Sequence, residues 1–238
     1  MSLDSRFTQF VHHLNNKFEP EVRYHLARVY SCLTATTILA TVGAVLHISG
    51  YLECGLITAL GSLAFIIALH FIRDDGKNFY TRLGLLLGFG FCSGQTLGPL
   101  LQFVIAVNPQ IVINALVGTC IVFLSFSLSA LLAERGKFLF LGGILVSILS
   151  TMALLSLFNM FLNSYTLNQA QLYVGLGVMS AFILYDTQAI IEKRRMGNTD
   201  CVQHSLDLFF DLISIFRRLL VILTQKEERD RRNKRKSN

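Results

Sequence analysis

Apolar residues run in seven blocks along the chain, at about 29–49, 52–72, 83–106, 110–133, 138–158, 171–191 and 205–224, separated by short polar turns. Each block is near the ~20 residues that cross ~30 Å of hydrocarbon as helix, the form that satisfies every backbone group internally. Six blocks read directly as membrane spans. The seventh holds Asp207, Asp211, Arg217 and Arg218, and no lipid-facing helix carries four charges. It is predicted to lie inside the bundle. The expected architecture is therefore an all-α integral membrane protein, a seven-helix bundle with the C-terminal helix central and surrounded by the other six. Residues 1–28 form an N-terminal arm, 29–224 the helical membrane domain and 225–238 a basic tail.

Composition agrees with this pattern. The 238 residues are 53% hydrophobic and 15% charged, with three Pro and no Trp, whereas soluble domains carry about 25% charged residues. The first 28 residues contain no apolar signal-peptide core, so the first span is expected to act as its own membrane signal. Basic residues then alternate. Arg6, Lys17, Arg23 and Arg28 precede the first span, Arg73, Lys77 and Arg82 follow the second, Arg135 and Lys137 the fourth, and Lys193, Arg194 and Arg195 the sixth. The intervening loops hold no Lys or Arg, which places the N-terminus in the cytosol. The tail from Lys226 to Asn238 conflicts with that alternation, because it carries seven basic residues against three acidic ones. If the seventh segment crosses, the tail lies on the far side; if it is re-entrant, every basic segment is cytosolic. The last residues, Lys234-Arg235-Lys236-Ser237-Asn238, fit a Lys-x-Lys-x-x pattern for cytosolic retrieval to the endoplasmic reticulum.

Charges inside hydrocarbon cost roughly 2.5 kcal/mol or more and mark functional sites by default. Asp186 lies about five residues before the end of the sixth span, or ~8 Å deep at 1.5 Å per residue, and Asp211 lies ~10 Å into the seventh. The two carboxyls are predicted at matching depth on consecutive segments, with Asp207 and His204 completing a polar stripe on the face of Asp211. Two carboxylates brought together in a low dielectric cannot both ionise cheaply, and the pair holds a shared proton. Such a pair offers a proton-sensitive latch and oxygen ligands for a hard cation such as calcium, which points to a proton-linked cation path. The structural alternative pairs the acids with Arg217, Arg218 or backbone donors to hold the bundle together.

Enzyme chemistry is not expected. A zinc hydrolase needs about three converging ligands around an open position, and His204 with Asp207 is the only nearby combination; Ser93 has no evident base. His47 and His70 are expected at the membrane interfaces. Gly84, Gly88, Gly90, Gly94 and Gly98 give overlapping small-xxx-small spacings suited to close helix packing, and Ser125, Ser127 and Ser129 are expected to bond helix carbonyls. Cys32, Cys54, Cys92, Cys120 and Cys201 are scattered without a Cys-x-x-Cys pair, so no disulfide framework is readable. The Phe- and Leu-rich stretch 138–158 is expected to face lipid. No tightly bound cofactor and no nucleic-acid partner is expected.

Three stretches resemble the transmembrane Bax inhibitor motif family: Gly84-Leu-Leu-Leu-Gly-Phe-Gly-Phe-Cys-Ser-Gly-Gln-Thr-Leu-Gly-Pro99, Tyr185-Asp-Thr-Gln188, and Asp207-Leu-Phe-Phe-Asp-Leu-Ile-Ser-Ile-Phe-Arg-Arg218. The resemblance covers essentially the whole chain. It implies a multi-pass protein of the endoplasmic reticulum membrane that suppresses cell death and lowers luminal calcium through a proton-sensitive leak, with apoptosis regulators and calcium-release channels as partners. It also implies a paired-aspartate sensor, which falls on Asp186 and Asp211 and would bind calcium transiently as a permeant ion. Bacterial relatives place an arginine in the second helix that can latch onto the acids. This second span has none between Glu53 and Arg73, so the counter-charge would be Arg217, Arg218 or absent. A non-conducting scaffold that acts by binding is the alternative reading.

Overall fold

The structure, a computed structural model, describes residues 18–52 and 55–237. The described residues form seven helices and no strand: α1 Pro20–Ile48, α2 Leu56–Phe71, α3 Phe79–Val107, α4 Gln110–Leu132, α5 Leu141–Leu162, α6 Tyr165–Arg195 and α7 Cys201–Ser237. Pro20 opens α1 at a position where its missing N–H costs nothing and its fixed φ already suits the helix. Asn163, in the left-handed conformation, ends α5, and Ser164 caps α6 through its hydroxyl.

Five helices, α1, α3, α4, α5 and α6, are each long and apolar enough to cross a membrane, and the chain is a multi-pass membrane protein. The second block differs from expectation. Its helix has 16 residues rather than the predicted 21-residue block, about 24 Å at 1.5 Å per residue. Gly50 sits at positive φ and Gly55 is extended, so the connection takes up residues that hydropathy alone assigns to the span.

Helix α7 is the centre. It packs against α6, α1, α4 and α3, while α2 is held chiefly by α3 and α5 by α6. Leu206, Leu208, Phe209, Ile215 and Leu220 of α7 are buried, and Phe209 meets the Phe89 ring edge-on at 5.8 Å between centroids. The most extensive pairing is α1 with α3. A side chain at Gly94 would overlap the Ala40 carbonyl oxygen, and one at Gly90 would lie 2.6 Å from the Thr36 side chain, so the glycine spacing of α3 is the seam that lets the two backbones meet. His47, in the last turn of α1, is buried with its ring against Gly98. The outward faces are apolar, with Ile57, Phe158 and Phe161 exposed to the bilayer.

The seventh segment is one unbroken helix of 37 residues. It starts among Arg82, Arg194 and Arg195, and its far end reaches the opposite end of the bundle, where Arg231 donates to the Val107 carbonyl and Arg229 to the Tyr165 hydroxyl. The re-entrant alternative is thereby set aside: α7 traverses the bundle, and the basic tail lies at the end opposite the basic loops.

Candidate functional site

The loop between α6 and α7 is short, so the two helices form a hairpin and residues equally far from it fall level with each other. Asp186 is nine residues before the end of α6 and Asp211 ten residues after the start of α7, about 14 and about 15 Å along their axes. The structure brings the two together. Their carboxyl groups lie next to each other, Asp211 buried and Asp186 half-buried. No amide, hydroxyl or guanidinium donor among the described residues reaches the buried Asp211 Oδ2. Two carboxyls can hydrogen-bond only with a hydrogen between two acceptors, so a bond across this pair requires that it retain one proton.

Asp207 sits one turn nearer the hairpin loop. Its Oδ1 accepts from the Gln203 side-chain amide at 3.2 Å, and its charge acts on both Asp186 and Asp211. The cation whose field reaches Asp186 and Asp207 is Lys193, on the last turn of α6. The expected counter-charges are elsewhere. Arg217 is exposed. Arg218 lies two turns beyond Asp211, donates to the Ser214 carbonyl at 3.3 Å and rests against Gly175. Neither arginine forms an ion pair with the acids among the described residues, because a guanidinium tied back to its own helix cannot also span that distance.

His204 also turns away from the stripe. It is 1% exposed, and its Nδ1 lies 2.9 Å from Nε2 of His25 on α1, the rings meeting edge to face. One nitrogen must donate and the other accept, so the contact fixes one proton between two imidazoles. Beside it, Nη1 of Arg82 on α3 lies 2.7 Å from Oδ2 of Asp200, with side chains only 3% and 18% exposed. Arg82 Nε is buried without an acceptor. Asp200 also caps α7 by accepting from the Gln203 backbone N–H at 2.9 Å. A cavity of about 480 Å³ opens here, lined by Leu69 and Phe71 together with His70, Arg73, Asp74, Arg82, Asp200 and Gln203. Through Gln203 it touches the residue bonded to Asp207.

Sequence reasoning missed His25, Lys193, Arg82 and Asp200 as parts of this region. Asp200-x-x-Gln203 before an apolar helix is a legible helix-start signal; the partners from α1 and α3 are not, because they are set by packing. Among the described residues no group of three or more His, Cys, Asp or Glu side chains converges as a metal site. The acid pair could therefore supply only part of the six to eight oxygens calcium takes, with water completing the shell.

A family profile described as inhibitor of apoptosis-promoting Bax1 matches residues 22–228, a stretch that runs from the first turn of α1 into the charged end of α7. The chain belongs to this family. It is similar to the protein named Bax inhibitor 1 of Drosophila melanogaster, 56% identical over 236 residues that cover 99% of this chain and 96% of the fly protein. The Homo sapiens protein of that name is 46% identical over 216 residues, 90% of this chain and 91% of its own. The Arabidopsis thaliana protein is 37% identical over 208 residues, covering 87% and 83%. Family membership thus spans all seven helices, including the acid pair and its surroundings.

Proposed function

We propose that this chain suppresses apoptosis from the endoplasmic reticulum membrane as a pH-sensitive calcium leak, with Asp186 and Asp211 as the sensor. The observation that carries the reading is the carboxyl pair on consecutive helices inside the bundle, where a hydrogen bond between the two needs one retained proton. A hard cation at these oxygens must displace that proton, so cation passage and proton binding compete. Calcium is the permeant ion rather than a resident cofactor, and no catalysis is involved. Asp207 adds negative charge along the same approach, and Lys193 supplies the counter-charge. The alternation of basic loops orients the N-terminus to the cytosol, and the unbroken α7 then carries the tail to the lumen. In that orientation the Lys234–Asn238 pattern faces away from the cytosol and does not act as a cytosolic retrieval signal.

A scaffold that regulates apoptosis proteins and calcium-release channels by binding is the second reading. It is favoured by the basic end of α7, whose residues from Glu228 to Lys236 are exposed as helix. Calcium flux into liposomes containing only the purified protein separates the two. A pH-dependent flux that flattens in both Asp186→Asn and Asp211→Asn supports the leak and its sensor. Folded protein that moves no calcium above empty liposomes rejects the leak, and flux with an unchanged pH profile in the variants removes the pair from the sensor role.

A further inference from the structure

Arg217 and Arg218 are the two charges of the seventh apolar block that the acid pair does not use. They lie six or seven residues before the block ends at 224, about 10 Å inside it, where a guanidinium needs an acid, a carbonyl or a water-filled cavity beside it. Neither forms an ion pair among the described residues. Both line a cavity of about 390 Å³ between α5, α6 and α7, a volume in the range of ligand pockets. Gly175 of α6 makes room on one side, since a Cβ there would lie 2.5 Å from Arg218 Nε. On the other side α5 packs on α6 rather than on α7, so the groove opens to the bilayer, with Ala153 and Arg217 exposed at its mouth.

The lining is sorted along the helices. Ser156, Asn168 and Gln171 stand toward the turn between α5 and α6, whereas Leu149, seven residues before Ser156, lies about 10 Å deeper, with Met152 and Ala153 between. The two amides have their oxygens engaged and donors to spare. Asn168 Oδ1 accepts from Asn159 Nδ2 at 2.7 Å, and Gln171 Oε1 accepts from the Ser156 hydroxyl at 3.0 Å. Gln171 Nε2 uses one N–H on the Met152 carbonyl at 3.2 Å, and a side-chain amide carries two. No carboxylate lines the cavity. Its polar end therefore presents two cations and spare amide donors, and its deep end presents hydrocarbon, which is the complement of a phosphate attached to an acyl chain.

We propose that this groove binds one anionic phospholipid from the leaflet on the side of the basic tail, its phosphate held by Arg217 and Arg218 and an acyl chain lying along α5. The turn between α5 and α6 is on that side, because Arg229 of the tail reaches the Tyr165 hydroxyl. A lipid of that leaflet enters with its headgroup toward the turn and its chains toward the membrane centre, the same order as the lining. Guanidinium groups bind phosphate oxygens in pairs, and basic pockets between membrane helices take anionic headgroups. The lipid thus supplies the counter-anion that the chain itself does not place here. A net-negative headgroup is preferred over a zwitterionic one, whose ammonium would be a third cation facing two guanidiniums. A soluble phosphate would leave the apolar end of the groove unfilled.

The chain has no Trp, so Leu149→Trp sets a single fluorophore at the apolar end of the groove, at an exposed position where the larger ring needs no repacking. The full-length variant is reconstituted into vesicles of phosphatidylcholine and phosphatidylglycerol with one or the other brominated on its chains, and quenching gives the relative affinity of the two lipids. The expected preference for phosphatidylglycerol is about tenfold, and it should fall to near parity when Arg217→Gln and Arg218→Gln are added. Arg217→Gln alone, at an exposed position that leaves the fold intact, should already lower it. Ile121→Trp, on the outward face of α4, should report parity throughout, and protection of the buried Cys32, Cys92 and Cys201 checks that each variant is folded. Soluble glycerol phosphate should leave the quenching unchanged. The proposal is overturned by parity in the Leu149→Trp protein, by a preference that survives the glutamine substitutions, or by an equal preference in the Ile121→Trp protein. Displacement of the lipid by glycerol phosphate would overturn it as well, since the groove would then be a site for a free anion.

Discussion

Asp200→Asn is the sharpest probe of how the bundle holds its central helix. Arg82 is nearly fully buried against Asp200, its side chain 3% exposed, so removing the carboxylate charge leaves a guanidinium without compensation in a poorly solvated place. Breaking one side of a buried pair costs about 3–5 kcal/mol. The adjacent cavity of about 480 Å³, lined by both residues, admits water and puts the expected loss at the lower end, about 3 kcal/mol or roughly 150-fold in the unfolding constant. Asparagine keeps an oxygen for the Gln203 N–H, so the cap survives; Asp200→Ala loses it too and should cost about 1 kcal/mol more. Adding Arg82→Met to Asp200→Asn removes the stranded charge and should recover much of the loss, a non-additivity that an exposed pair would not show. The chain has no Trp, so unfolding in detergent is best followed by a thiol-reactive fluorophore as buried Cys32, Cys92 and Cys201 become accessible. An Asp200→Asn protein within about 0.5 kcal/mol of the parent would refute the reasoning, as would a double variant no more stable than the single.

The same assay checks three further expectations. Gly94→Ala places a methyl on the Ala40 carbonyl oxygen and should destabilise by about 1–3 kcal/mol or more as α1 and α3 are forced apart, whereas Gly84→Ala, with nothing within 4 Å, should be neutral or stabilising by up to ~1 kcal/mol. Gln188→Leu should cost about 2 kcal/mol or more, since its buried amide accepts from Phe138 N–H at 2.7 Å and donates to the Ala130 and Glu134 carbonyls at 3.3 and 3.0 Å; retained stability would remove it as the tie between α6 and the α4–α5 turn. Glu192, at the end of α6 past the apolar span, is held below its usual 4.5 chiefly by the Arg135 guanidinium and further by Arg195. Its folded value is the lower one, so its contribution is present above about pH 4.5 and is lost as pH falls through the folded value. Glu192→Gln should therefore melt slightly below the parent near neutrality and together with it in acid, and a gap that persists in acid would refute the assignment.

The helices were legible because lipid demands long apolar runs, and the depth match of Asp186 and Asp211 followed from helix rise across one short loop. Helix ends were less legible. Hydropathy registers where hydrocarbon stops, not where the helix does, and Glu, Lys and Arg propagate a helix well; hence α6 runs on through Arg195 and α7 to Ser237, past the blocks at 171–191 and 205–224. The partners of the acids were misjudged for a related reason. Arg217 and Arg218 share α7 with Asp211 and were the counter-charges offered beside none at all, but they sit about two turns along the helix while Lys193 arrives from α6. His25 was passed over because its importance comes only from which faces of α1 and α7 meet, and no periodicity carries that information across the length of the chain.

Helix α7 is fixed in rotation and depth by polar contacts on several sides. Hydrophobic burial cannot sort helices in lipid, whose tails are as apolar as leucine, so close packing and hydrogen bonds decide. From α7 and its cap such contacts go outward to three helices: the hydrogen bonds of His204 and Ser205 to α1 and of Arg231 to α3, the ion pair of the cap residue Asp200 with Arg82 of α3, the Asp211 carboxyl against Asp186 of α6, and the bond of Gln225 with Gln169 of α6 at 2.7 Å. The Asp186–Asp211 contact is one tie among these, with others holding the helix nearer the hairpin loop and farther from it. Replacing either acid by asparagine therefore alters the proton-holding pair while the rest of the register persists. A loss of pH response in Asp211→Asn, accompanied by an unchanged melting temperature, would belong to the carboxyl pair itself rather than to a displaced helix.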